Sequence, residues 1–139
     1  MNEPQSRMAP LPIAQAFVVC RDIIEDCRSH DFVLIAPFCA VQAVEFPGSF
    51  RMSIYAHLTC GHGSYAIALQ LRNGADEVLW AWDCPRAIRL ESPLAQHRFT
   101  LYDAVLKFPE PGRYDLVMFA NGAELARHAL HARALPSQQ

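Results

Sequence analysis

Turn-forming residues interrupt this chain about every ten residues along most of its length, and that spacing limits what it can fold into. Pro47-Gly48, Gly61-His62-Gly63, Asn73-Gly74, Pro109-Glu110-Pro111-Gly112 and Asn121-Gly122 punctuate it, with isolated prolines at 85, 93 and 136. Segments of that length suit strands joined by turns, and no long amphipathic helical pattern competes with them.

The clearest strand is 64–72. There Tyr65, Ile67, Leu69 and Leu71 share one face, while Ser64, Ala66, Ala68, Gln70 and Arg72 take the other. Asn73-Gly74 tolerates the positive φ of a tight turn, so the chain is predicted to return through Glu77-Val78-Leu79-Trp80-Ala81-Trp82 as one antiparallel hairpin over 64–82. A second hairpin is predicted from Pro111-Gly112-Arg113-Tyr114 through Phe119, across Asn121-Gly122 and back over 124–133, although 124–130 also has helical propensity. Strand-like content elsewhere (16–20, 31–36, 38–44, 51–59, 86–91 and 98–106) brings the expectation to eight or nine strands. The expected architecture is all-β: a two-layer antiparallel β-sandwich, immunoglobulin-like or of related topology.

One domain is expected, because 139 residues is a single domain's worth, with flexible tails at 1–11 and 134–139. Hydrophobic residues make up 52% and charged residues 19%, enough apolar area for a core without metal or disulfide staples. Five cysteines (Cys20, Cys27, Cys39, Cys60, Cys84) are an odd number without CxxC spacing, and the amino terminus lacks a signal-peptide pattern. A reduced, cytoplasmic protein is expected. Twelve Lys and Arg against fourteen Asp and Glu give a net charge of −2, so no nucleic-acid partner is expected. The apolar run 32–41 is too short for a membrane span and is broken by Pro37.

The succession Ala16-Phe17-Val18-Val19-Cys20-Arg21-Asp22, Val33-Leu34-Ile35-Ala36, Phe46-Pro47, the central hairpin, Phe108-Pro109-Glu110-Pro111-Gly112-Arg113-Tyr114 and Asn121-Gly122-Ala123-Glu124-Leu125 resembles a bacterial family of small β-sandwich proteins known only as a domain of unknown function. The resemblance covers about 13–133. It implies the fold and no activity, and this chain departs from it by an insertion-like loop at 23–30 and by its Trp- and Cys-rich segment at 80–84.

Chemistry is sought first in His57-Leu58-Thr59-Cys60-Gly61-His62, where a turn could fold His62 back beside Cys60. His57, Cys60 and His62 are therefore the candidate metal ligands, although paired CxxC and HxxxH ligands are missing and no fourth ligand is evident. The same residues are the candidates for a thiol or metal enzyme. His128 and His131 fall on opposite faces of a strand, and His30 and His97 sit at strand starts. No GxSxG, HExxH, GxxxxGK[ST] or GxGxxG motif occurs.

Trp80 and Trp82 project from one strand face. Either they pack in the core or, with Tyr55 or Tyr65 and Arg86 nearby, they form a binding platform for a protein or a sugar ring. The functional expectation is a noncatalytic protein-interaction or structural module, acting on a protein partner or by self-association, with a homodimer in view. It needs no cofactor. A small metal- or thiol-dependent enzyme and a carbohydrate-binding module using Trp80 and Trp82 are the alternatives.

Overall fold

The computed structural model describes residues 10–136, so most of the two tails expected from the sequence lies outside the described residues. Eleven strands succeed one another: β1 (Ile13–Glu25), β2 (Phe32–Pro37), β3 (Ala40–Ala43), β4 (Gly48–Thr59), β5 (Gly63–Tyr65), β6 (Ile67–Arg72), β7 (Val78–Asp83), β8 (Ile88–Leu90), β9 (Gln96–Phe108), β10 (Gly112–Ala120) and β11 (Ala123–Ala134). The all-β expectation holds, and no helix among the described residues is long and apolar enough to cross a membrane.

The strands form one sheet in the order β2-β1-β4-β9, a second in the order β3-β11-β10-β6-β7, and a two-stranded β5-β8 ribbon. Their core faces are written in the alternation of each strand. Met52, Ile54, Ala56 and Leu58 of β4 and Phe99, Leu106 and Phe108 of β9 meet Ile67, Leu69 and Leu71 of β6 and Tyr114, Leu116 and Met118 of β10, all of them buried. Aromatic edges bridge the two sheets: Phe108 stands edge-on to Tyr114 at 4.9 Å, and Trp82 lies 5.8 Å from Phe99.

Three features correct the two-layer antiparallel expectation. First, β3 pairs with β11 in parallel, with His131 opposite Ala40 and Ala134 opposite Ala43. Residues 91 positions apart give no local pattern from which to read that pairing. Second, the central hairpin is narrower than 64–82, because Tyr65 belongs to β5, which pairs with β8, and only β6 and β7 form the hairpin. Its turn uses Asp76, not Gly74, as the left-handed residue (φ 64°), while the Asn73 side chain accepts the N–H groups of Ala75 and Glu77.

Third, the segment expected to be a loop at 23–30 is the end of β1 and the tip of a β1–β2 hairpin. β1 pairs with β4 as far as Cys20 and with β2 from Cys20 onward. Val18 lies opposite Tyr55, and Phe32 lies opposite Glu25, seven residues further along β1. On a straight strand those positions would stand about 23 Å apart, yet the Phe32 and Tyr55 rings are 5.9 Å apart. The hairpin therefore folds back over the outer surface of β4 and β9 as a partial third layer. That explains why Cys20 and Ser53, on the outward face, are fully buried, and why Ile23 is buried while Ile24 and Val33 are exposed. Asp26 shapes the tip by accepting the N–H groups of Arg28 and Ser29, which holds its carboxyl below the usual range.

Two histidines point inward, and burial pushes both below the ordinary value of 6.5: His97 on β9, and His128 on β11, which sits edge-on to Phe17 with a buried Nδ1 that has no hydrogen-bond partner among the described residues. The unfolded chain then takes up protons first as the pH falls through about 6.5, so stability should drop from there downward. Urea midpoints at pH 7.5 and 5.5 check this. A lower midpoint at pH 5.5 is expected, with a smaller loss in His128→Leu; equal midpoints for the parent protein would contradict it.

Candidate functional site

The sequence-derived candidates do not come together. His57 lies on the outward face of β4, where its Nε2 is 2.9 Å from Gln96 Oε1. Cys60 occupies an exposed left-handed turn (φ 63°), and the backbone N–H of His62 donates to the Tyr65 hydroxyl at 2.8 Å. Among the described residues no group of three potential ligands is placed to hold a metal ion, so the His57/Cys60/His62 cluster is not assembled. The turn is instead organised around Tyr65.

Trp80 and Trp82 share a face with Leu71 and Leu69 and pack half-buried against the core, whereas Tyr55 lies on the far side of the other sheet beneath Phe32. Arg86 is exposed in the loop between β7 and β8. The aromatic platform is therefore not formed. All five cysteines are free, and burial pushes the Cys20 thiol up, away from the reactive thiolate.

What the fold does assemble is a groove at the hinge of the β1–β2 hairpin. Pro37 ends β2 after Ala36, which adopts a left-handed backbone (φ 54°), and Phe38 donates its N–H back to the Val19 carbonyl at 3.0 Å. The chain then enters β3, the terminal strand of its sheet, whose second edge is unpaired among the described residues. Against these stand Phe50 and Arg51 of β4 and Arg21 of β1. The groove has a volume of about 320 Å³, with Phe38, Val41 and Phe50 as its apolar surface and Arg21 and Arg51 as its charges.

No carboxylate lines this groove, and neither guanidinium makes an ion pair or side-chain hydrogen bond among the described residues. Lys107 lies on the next rung beyond Arg51, because Arg51 is opposite Val105 and Ser49 is opposite Lys107. A larger hollow, about 500 Å³, lies on the outer face of the second sheet among Gln70, Arg72, Asp83, Cys84 and Phe119. Its arginine is already committed: Arg72 donates twice to Gln70 Oε1, pairs with Asp76 at 3.2 Å and stacks on Phe119. Of these two cavities, the first is the one whose arginines have no ion pair among the described residues.

Sequence reasoning missed this groove. Arg21, Phe38, Phe50 and Arg51 carry no motif, and they meet only because the hairpin folds back at Cys20.

No family model matches the sequence, and no curated protein matches it. Among solved structures the chain is similar to the Pseudomonas fluorescens alkylpurine DNA glycosylase AlkC bound to DNA containing an abasic site analog, at 16% identity and a TM-score of 0.44. The match covers 69% of this chain and 28% of that one, and at that distance the neighbour's activity does not transfer. That neighbour, a glycosylase bound to DNA, runs against the expected noncatalytic protein-interaction or structural module and against the expected exclusion of nucleic acid, so neither expectation is carried further; at this likeness no function is read from it. A net charge of −2 averages over the whole surface and does not describe a local pair such as Arg21 and Arg51.

Proposed function

We propose that the Arg21–Arg51 groove binds single-stranded nucleic acid, with phosphate on the two guanidiniums and one base against Phe38 and Phe50. The observation that carries this reading is the pairing of two arginines, without an ion pair among the described residues, with an aromatic groove whose lining contains no carboxylate. Guanidinium groups hold phosphate through paired hydrogen bonds, and a base gives up its stack in exchange for an aromatic face. The unpaired edge of β3 adds backbone N–H and C=O groups that can meet the hydrogen-bonding edge of that base. With only this short cationic strip, a single strand fits better than a duplex, whose two backbones need a wider basic surface.

Within the same reading the finer topology is immunoglobulin-like. The order β1-β4-β9 facing β11-β10-β6-β7 follows the A-B-E and G-F-C-C′ succession. In addition, Tyr114 at the start of β10 donates to the Glu110 carbonyl at 2.5 Å, as a tyrosine corner does.

Fluorescence anisotropy with a labelled oligothymidylate tests the binding reading. Micromolar affinity is expected at low salt, falling with a log–log slope of about −1.4 for two phosphate contacts. Arg21→Ala and Arg51→Ala should each weaken binding about tenfold, the loss of one charge-assisted contact, with unchanged melting temperature. Unaltered affinity in both variants, or a slope near zero, would refute the assignment.

A further inference from the structure

We infer that Arg98 is a positioning residue for the groove: it clamps the tip of the β1–β2 hairpin onto β4 and β9 and thereby sets the hinge residues Arg21, Pro37 and Phe38 that line the site. The inference rests on the groove being the binding site proposed above.

Arg98 sits on the outward face of β9, opposite His57. Its guanidinium lies 5.4 Å from the Phe32 ring centre and 3.5 Å from the Asp31 carboxylate, so it holds both the ring and the charge at the hairpin tip. Tyr55 supports the same Phe32 ring from β4. At the other end of the hairpin, the strands leave the sheet at Cys20 and Pro37, which lie opposite each other. Arg21, Ala36, Pro37 and Phe38, all at this root, line the groove.

A two-stranded ribbon is stiff along its length and bends most easily where its pairing changes partner, so a contact at the tip biases the angle at the root. Each clamp contact is individually weak, because Asp31 is 71% exposed and Arg98 38% exposed. The hairpin is thus held closely enough to shape the groove and loosely enough to be released by one substitution. Arg98 itself is far from the bound phosphate. His57, its cross-strand partner, is six residues along β4 from Arg51, a separation of about 20 Å, beyond the Debye length of about 10 Å at 0.1 M salt.

Anisotropy and hydrogen exchange on the full chain test the inference together. Arg98→Ala should bind the labelled oligothymidylate about fivefold more weakly and exchange the amides of 24–35 faster, while Arg98→Lys, which keeps the charge opposite Asp31, restores most of both. Asp31→Asn should weaken binding in the parent protein and add little in the Arg98→Ala background. By reciprocity, saturating oligothymidylate should slow exchange in 24–35. If Arg21→Ala and Arg51→Ala weaken binding but Arg98→Ala leaves it unchanged, the inference alone falls. If none of the three matters, the groove assignment falls and the inference with it. Faster hairpin exchange without loss of affinity would likewise overturn the coupling.

Discussion

Replacing Phe108 with alanine is expected to lower the free energy of unfolding by about 3–5 kcal/mol. Phe108 closes β9 and is fully buried, with its ring edge-on to Phe50 at 5.5 Å and to Tyr114 at 4.9 Å. It stands where the chain crosses from one sheet to the other through Pro109, Glu110 and Pro111, so both sheets supply the walls of the void its removal leaves. Neither wall can collapse freely: Tyr114 is tethered by its hydroxyl to Glu110, and Phe50 is fixed in the paired β4. A domain of ordinary stability holds only about 5–15 kcal/mol in total, so the variant should unfold at a much lower urea concentration. Leu94→Ala, at a side chain 90% exposed, serves as the comparison and should change the midpoint little. A Phe108→Ala midpoint within error of the parent would mean that the two sheets are not coupled at this corner. Phe50 also lines the groove, so oligothymidylate binding should weaken along with stability.

The second large effect belongs to Tyr65. Its buried hydroxyl accepts the His62 N–H at 2.8 Å and donates to the Pro10 carbonyl, tying the turn after β4 to the segment that leads into β1. Tyr65→Phe keeps the ring and removes both bonds at once. A loss of about 2–3 kcal/mol is expected, since each group left without a partner costs about 1–3 kcal/mol and one of them can recover water. Hydrogen exchange at His62 should accelerate in step. Gly61 makes the assignment sharper, because a Cβ there would stand 2.9 Å from the Tyr65 hydroxyl and 2.7 Å from Leu90 Cδ1. Gly61→Ala should therefore destabilise the parent protein and should cost less in the Tyr65→Phe background, a departure from additivity that equilibrium denaturation can measure. Strict additivity would show that the two residues do not share this contact.

Much of the fold was legible because β-strands declare themselves locally. Tyr65, Ile67, Leu69 and Leu71 alternate with polar or small neighbours, and the structure buries all four. The β10–β11 hairpin was legible at its turn, where Asn121 and Gly122 both adopt positive φ, but less so in its return strand, since 124–130 also has helical propensity. The fold-back of β1 and β2 was not legible. Its tip, 26–31, is built without glycine or proline, from side-chain acceptance by Asp26 and a left-handed His30, so nothing in the composition separates it from an irregular loop. The site suffered for the same reason. Histidine, cysteine and tryptophan drew attention by their chemistry, yet Trp80 and Trp82 went to the core, Tyr55 to the opposite surface, and His57 to a hydrogen bond with Gln96. The groove arginines, 30 positions apart in sequence, become neighbours only through pairing that no short window contains.

One wall of that groove is β3, four residues whose only ladder partner among the described residues is the carboxyl-terminal end of β11. A strand so short cannot hold its extended form alone, because a single ladder must offset the entropy of ordering it. During synthesis residues 40–43 therefore leave the ribosome long before 131–134 arrive to pair with them. Until then, the chain carries a hairpin hinge and two arginines but no finished cleft. The groove is thus completed in one late step rather than built up along the chain, so a nascent chain that lacks 131–134 has no finished cleft.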